Sequence, residues 1–171
     1  MRLLFFLSSL FLSTFSVAEE LPTYVPEYDR ASWNHWIDID GDCQNARHEL
    51  LIEKSSVPVT FTNKKKCSVN TGKWVGPYTG VTFTKASDVD IDHVVPLAEA
   101  HRSGGWRWSW TLKQVFANDP ENLLITEDNA NQAKSDKDPA QWFDVQPSYQ
   151  CEYLRKWVSI KGRYNLRMDG V

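Results

Sequence analysis

The sequence predicts an α+β fold in a single domain, and three observations carry the prediction. Ile91 stands between Asp90 and Asp92, ahead of His93 and a turn at Pro96. That period of two marks a short strand. Asn122-Leu123-Leu124-Ile125-Thr126 reads as a second short strand, and Thr126 is placed to cap a helix running through Lys134. The first turn of that helix carries Glu127 and Asp128, the sign that a helix dipole favours. No internal repeat, low-complexity tract or linker divides the chain, so one domain is the economical reading.

Composition agrees. Of 171 residues, 42% are hydrophobic and 24% charged, with eight Trp, six Tyr and eight Phe to fill a core. Residues 1–18 are set apart. Arg2, an apolar run from Leu3 to Leu12 broken only by serines, and the small residues Ser16-Val17-Ala18 make a secretory signal peptide. The run is too short to span a bilayer comfortably. The mature domain is expected over residues 19–171, secreted or periplasmic and without a membrane-embedded part. Without Arg2 it holds 18 basic against 22 acidic residues. That balance argues against tight, extended nucleic-acid binding, but leaves room for a local basic patch beside a metal.

In chain order, residues 19–32 read as an extended leader. Asp42 is expected to cap a helix over Cys43–Lys54, with Ala46, Leu50 and Leu51 inward. Val57–Thr62 and Cys67–Asn70 read as strands around a basic turn, and Gly72, Gly76 and Gly80 as turn punctuation. Val81–Thr84 is a further strand. Leu97–Arg102 reads as a short helix stopped by Gly104-Gly105, and Ser109 caps another running to Phe116. Pro147 suits the first turn of a long final helix reaching about Tyr164.

Three cysteines in an exported chain allow one disulfide in any of three pairings. Cys43–Cys67 is favoured, because it staples the N-terminal segment to the next strand. Cys151 shares helical spacing with Leu154 and Val158 and is expected to be a buried thiol. No CxxC pair supports a zinc knuckle. Asp38, Asp40, Asp42 and Glu49 fall at positions one, three, five and twelve of a calcium-loop pattern, but Cys43 stands where that loop needs glycine. An acidic turn ahead of the helix is the preferred reading.

The chemistry centres on Asp92, His93 and Asn131. Strand, strand and helix gather a carboxylate, an imidazole and an amide at one point. Those groups suit a hard cation beside a general base. Two protein oxygens fit Mg²⁺, which keeps waters and is completed by substrate phosphate. His93 is the candidate base. Asp90 lies on the Asp92 side of the strand, where a place behind the metal ligands is open and a solvated strand face is the preferred reading. Asn131 and Lys134, three apart, share a helix face. Lys134, Arg102, Arg107 and Lys113 are candidate phosphate contacts. Trp106, Trp108 and Trp110 are placed to stack bases, although core packing is the preferred use.

These residues resemble a known pattern. Asp92-His93, Asn122-Leu123 and Asn131 with Lys134-Ser135-Asp136 resemble the motif of HNH endonucleases with the ββα-metal, or His-Me finger, fold. Ile91–Leu97, Phe116–Pro120, Asn122–Leu124 and Asn131–Lys134 are similar to small secreted members of that group. The resemblance implies an exported, metal-dependent endonuclease of little sequence preference. Its substrate would be nucleic acid, DNA ahead of RNA. His93 would be the base, Asp92 and Asn131 the ligands of one Mg²⁺ ion, and Asn122 a support that ties the loop together. The chain would act as a monomer. A phosphodiesterase on a non-nucleic substrate and a non-catalytic binding domain on the same fold stay open as alternatives.

Overall fold

The computed structural model describes residues 24–168; the predicted signal peptide lies outside them. Five helices and five strands follow in order: α1 (Ala46–Lys54), β1 (Thr60–Phe61), β2 (Val69–Val75), β3 (Thr82–Lys85), β4 (Asp90–His93), α2 (Leu97–Arg102), α3 (Trp110–Ala117), β5 (Leu123–Thr126), α4 (Asp128–Lys134) and α5 (Gln150–Arg163). The fold is α+β. β1, β2 and β3 form one antiparallel sheet, and β4 pairs antiparallel with β5 in a separate ribbon. No described helix is long and apolar enough to cross a membrane.

The ribbon divides two hydrophobic cores. Ile91, Leu123 and Ile125 pack with Leu50, Leu51, Trp74 and Phe83 on the side of α1 and the three-stranded sheet. Leu124 faces the larger core, where Trp33, Phe116, Tyr153, Trp157 and Ile160 are buried. The period of two in β4 and β5 therefore serves two interiors, and their residues are buried from Ile91 to His93 and from Leu123 to Thr126.

Several boundaries differ from the sequence expectation. α1 starts at Ala46, not Cys43, because Asn45 accepts from the His48 amide and caps it. Asp38, Asp40 and Asp42 instead accept amides within their own loop. The left-handed backbone that glycine usually supplies is taken by Cys43 itself, at φ 75°. Gly72 is no turn. It lies inside β2, where a Cβ would collide with the indole of Trp74. The strand expected over residues 57–62 shrinks to Thr60–Phe61. α5 begins at Gln150, beyond Pro147.

Cys43 and Cys67 form the disulfide, as expected. Cys151 is exposed, not buried. The inward stripe of α5 is Tyr153, Trp157, Ile160 and Lys161, which turns Cys151 and Val158 to the opposite face. Native-state labelling with a maleimide should therefore modify Cys151 alone, read by peptide mass spectrometry. Cys43→Ser with Cys67→Ser should lower the unfolding free energy by ~2–4 kcal/mol in urea denaturation, because the bridge closes a loop of 24 residues.

Candidate active site

β4 carries the acidic groups and α4 lies against it. The register pairs Asp90 with Thr126 and Asp92 with Leu124, and alternates them with Ile91–Ile125 and His93–Leu123. Asp90 and Asp92 thus share the face that α4 covers. Thr126 does not cap α4; the cap position is Glu127, which makes no side-chain cap hydrogen bond. The Thr126 hydroxyl is buried without a hydrogen-bond partner.

Asp92 is almost completely buried and held by two other elements. The Lys134 ammonium, fully buried at the end of α4, lies 2.8 Å from Oδ2 and 3.0 Å from Oδ1 of Asp92. It also donates to the His93 carbonyl at 2.8 Å. The three donors of the ammonium therefore meet three acceptors. The Tyr78 hydroxyl donates to Asp92 Oδ2 at 2.7 Å. Burial pushes the Asp92 carboxyl up and the Lys134 ammonium down, and the contact between them opposes both shifts. Lys134 is therefore no surface phosphate contact. It neutralises and aims Asp92 from inside the protein.

His93 ends β4. Its Nε2 donates to the Ala117 carbonyl at 2.8 Å, which puts the ring proton there and leaves a lone pair on Nδ1. Nδ1 has no hydrogen-bond partner among the described residues. Burial lowers the imidazole to about 3, so the ring is neutral across the physiological range. Trp36 and His35 stand beside it, with ring centroids 6.0 and 6.2 Å away.

Asn131, on α4, donates its amide nitrogen to Asp90 Oδ2 at 2.8 Å. That bond fixes the side chain and leaves its carbonyl oxygen without a donor among the described residues. Asp90, expected to face solvent, is thus the group that orients Asn131. Arg47 anchors the approach to β4 by donating to the carbonyls of Ala86 and Val89 at 3.0 and 2.7 Å. Asn122 is fully buried. It accepts from the Val95 amide at 2.9 Å and donates back to the Val95 carbonyl at 3.2 Å. It clamps the turn that follows His93.

Asp92, His93 and Asn131 line one cavity of about 420 Å³, with Arg30, Ser135 and Asp136 on its walls. The donor set can be tested against a divalent cation. A carboxylate offers about four acceptor positions, and Lys134 and Tyr78 use three on Asp92. One remains on Oδ1, and Asn131, whose amide oxygen is not used by a described donor, lines the same cavity. Both are hard oxygen donors, so the residues fit a hydrated Mg²⁺-like ion.

The remaining basic candidates do not enter the cavity. Arg102 is bound to Asp136 at 2.6 Å and Glu99 at 3.0 Å. Arg107 lies over the Trp106 ring at 4.9 Å, in a neighbouring cleft that Arg102 also lines. Lys113 lies over Trp33 at 5.5 Å. Trp108 packs on the core as expected, whereas Trp110 is 59% exposed. Sequence reasoning missed Tyr78 and Arg30. Tyr78 follows Gly76-Pro77 and reads as part of a turn, and Arg30 sits in what reads as a leader.

Lys134→Met should be the costliest change at this site, because it leaves a buried carboxylate unpaired, at about 3–5 kcal/mol. Removing both charges in Asp92→Leu/Lys134→Met should recover part of that loss. Urea unfolding of the two variants measures the difference; equal stabilities would show that the pair is not coupled.

A secreted protein of Arthroderma benhamiae, itself uncharacterized, is 43% identical over 141 residues, covering 81% of this chain and 67% of its own length. No solved structure matches the chain. The family defined by the C-terminal domain of GmrSD restriction endonucleases matches residues 46–168, which include the β4–β5 ribbon, α4 and every polar group just described except Arg30, His35 and Trp36. The chain belongs to that nuclease family.

Proposed function

We propose that this protein is an exported, metal-dependent endonuclease of the HNH type that hydrolyses phosphodiester bonds of nucleic acid, DNA ahead of RNA, with little sequence preference. The observation that carries the reading is the state of His93. A neutral ring with Nε2 tied to Ala117 and Nδ1 unpartnered, in the same cavity as Asp92 and Asn131, is the arrangement of a general base beside a cation site. The secreted relative supports export; the small residues Ser16-Val17-Ala18 make Ala18 the proposed cleavage point.

In this reading His93 Nδ1 takes a proton from water as its oxygen attacks phosphorus in line. The Ala117 carbonyl holds the ring and steadies the imidazolium that forms. Asp92 and Asn131 would hold one divalent cation, Mg²⁺ by their donor chemistry, and that ion would supply charge stabilisation to the phosphodiester undergoing hydrolysis. Lys134 and Tyr78 fix Asp92, Asp90 fixes Asn131, and Asn122 fixes the turn behind His93. The products carry 5′-phosphate ends.

The test is nicking of supercoiled plasmid by the mature protein with Mg²⁺ and with chelator, and digestion of RNA in parallel. Cutting that depends on the metal is expected; no cutting of either nucleic acid would overturn the reading. His93→Ala should lose about 10²–10⁴-fold in rate with little change in metal requirement. Asp92→Asn and Asn131→Ala should each raise the Mg²⁺ concentration at half-maximal rate. Asparagine is the better replacement at position 92, because alanine would also strand the buried Lys134. An Asn131→Ala enzyme unchanged in both rate and metal titration would remove Asn131 from the ligand set.

A further inference from the structure

We propose that Arg30 is a catalytic residue that grips the scissile phosphate, supplied by a segment outside the family domain. The inference rests on the nuclease reading above and adds to it a residue in direct contact with substrate.

A site that binds a phosphodiester near a metal needs a mobile cation to match the anion. Among the residues lining the cavity with Asp92, His93 and Asn131, Arg30 is the only Lys or Arg. The other basic side chains nearby are engaged. Lys134 is sealed against Asp92, Arg102 is paired with Asp136 and Glu99, and Lys113 lies over Trp33. Arg30 is exposed and forms no ion pair with a described carboxylate.

Its side chain meets the Tyr28 hydroxyl and the His35 ring. Arg30 Nη2 lies 3.4 Å from His35 Nε2, and His35 Nδ1 donates to the Trp33 carbonyl at 3.0 Å. That second bond puts the His35 proton on Nδ1, so Nε2 accepts from the guanidinium without cancelling its charge. The fork is aimed yet still able to bind phosphate oxygens in pairs. Arg30 is also placed by packing. It begins a single 3-10 turn, Arg30–Ser32, capped by Asp29 and anchored by the fully buried Trp33.

The experiment compares wild type with Arg30→Ala and Arg30→Lys in the metal-dependent plasmid assay, with thermal melting of each protein. Arg30→Ala should lose about 100-fold in kcat/KM, with an unchanged melting temperature and an unchanged Mg²⁺ midpoint. Arg30→Lys should recover part of the loss. An active wild type matched within threefold by Arg30→Ala would overturn the role of Arg30 while leaving the nuclease reading intact. A wild type that cuts neither DNA nor RNA would overturn both. A shifted Mg²⁺ midpoint in Arg30→Ala would mark a structural effect on the cation site and overturn the phosphate role. In a His93→Ala background, Arg30→Ala should weaken binding of a fluorescent DNA 12-mer about tenfold by anisotropy; equal affinity would count against the contact.

Discussion

A charged pair almost wholly buried governs the architecture of this site. Asp92 and Lys134 come from elements 42 residues apart, and neither is tolerable in the interior without the other. Their contact therefore fixes how α4 lies on β4. It also sets the position of Asn131, one turn earlier on the same helix face, and of the His93 carbonyl, which the same ammonium grips. Tyr78 adds a third direction of restraint from the turn that follows β2. The residues that would do chemistry are thus held by residues that would not.

This arrangement explains why the two oxygens of the candidate cation site keep acceptor capacity. Lys134 and Tyr78 saturate most of Asp92 but not all of it, and Asp90 occupies only the nitrogen end of Asn131. His93 is treated in the same way, with one nitrogen engaged and one left over. Each group is half satisfied by the protein. The unused atoms line one cavity, so the acceptor capacity the protein leaves over opens onto the same space.

Much of this was legible in the sequence, for identifiable reasons. The period of two over residues 90–93, the spacing from Asn122 to Asn131 and the serine ahead of α3 are local signals, and local signals survive tertiary context. Cys43–Cys67 was favoured on simple topology. What failed were particular statements about which neighbour a side chain would find. Lys134 read as a surface cation because lysine is almost always one. Cys151 was assigned to the wrong stripe of α5, since Leu154 and Val158 looked as apolar as Tyr153 and Trp157. Asp90 read as solvated because its partner lies 41 residues away. Gly72 read as a turn because nothing in sequence reveals that the Trp74 ring folds back over it.

Trp33 carries one more consequence. Its indole is completely buried in the larger core, against Phe116, Trp108 and His101. Gly105 is required beside it, because a Cβ there would meet the Ala100 carbonyl oxygen at 2.7 Å and the Trp33 ring at 2.9 Å. The region shared with the nuclease family begins thirteen residues later, at 46. The boundary of kinship is therefore not the boundary of folding. A chain trimmed to the shared region would lose the plug of its own interior, a vacancy on the order of 3–5 kcal/mol for a buried aromatic of this size. The segment before α1 belongs to the folding unit as fully as the helices that surround it.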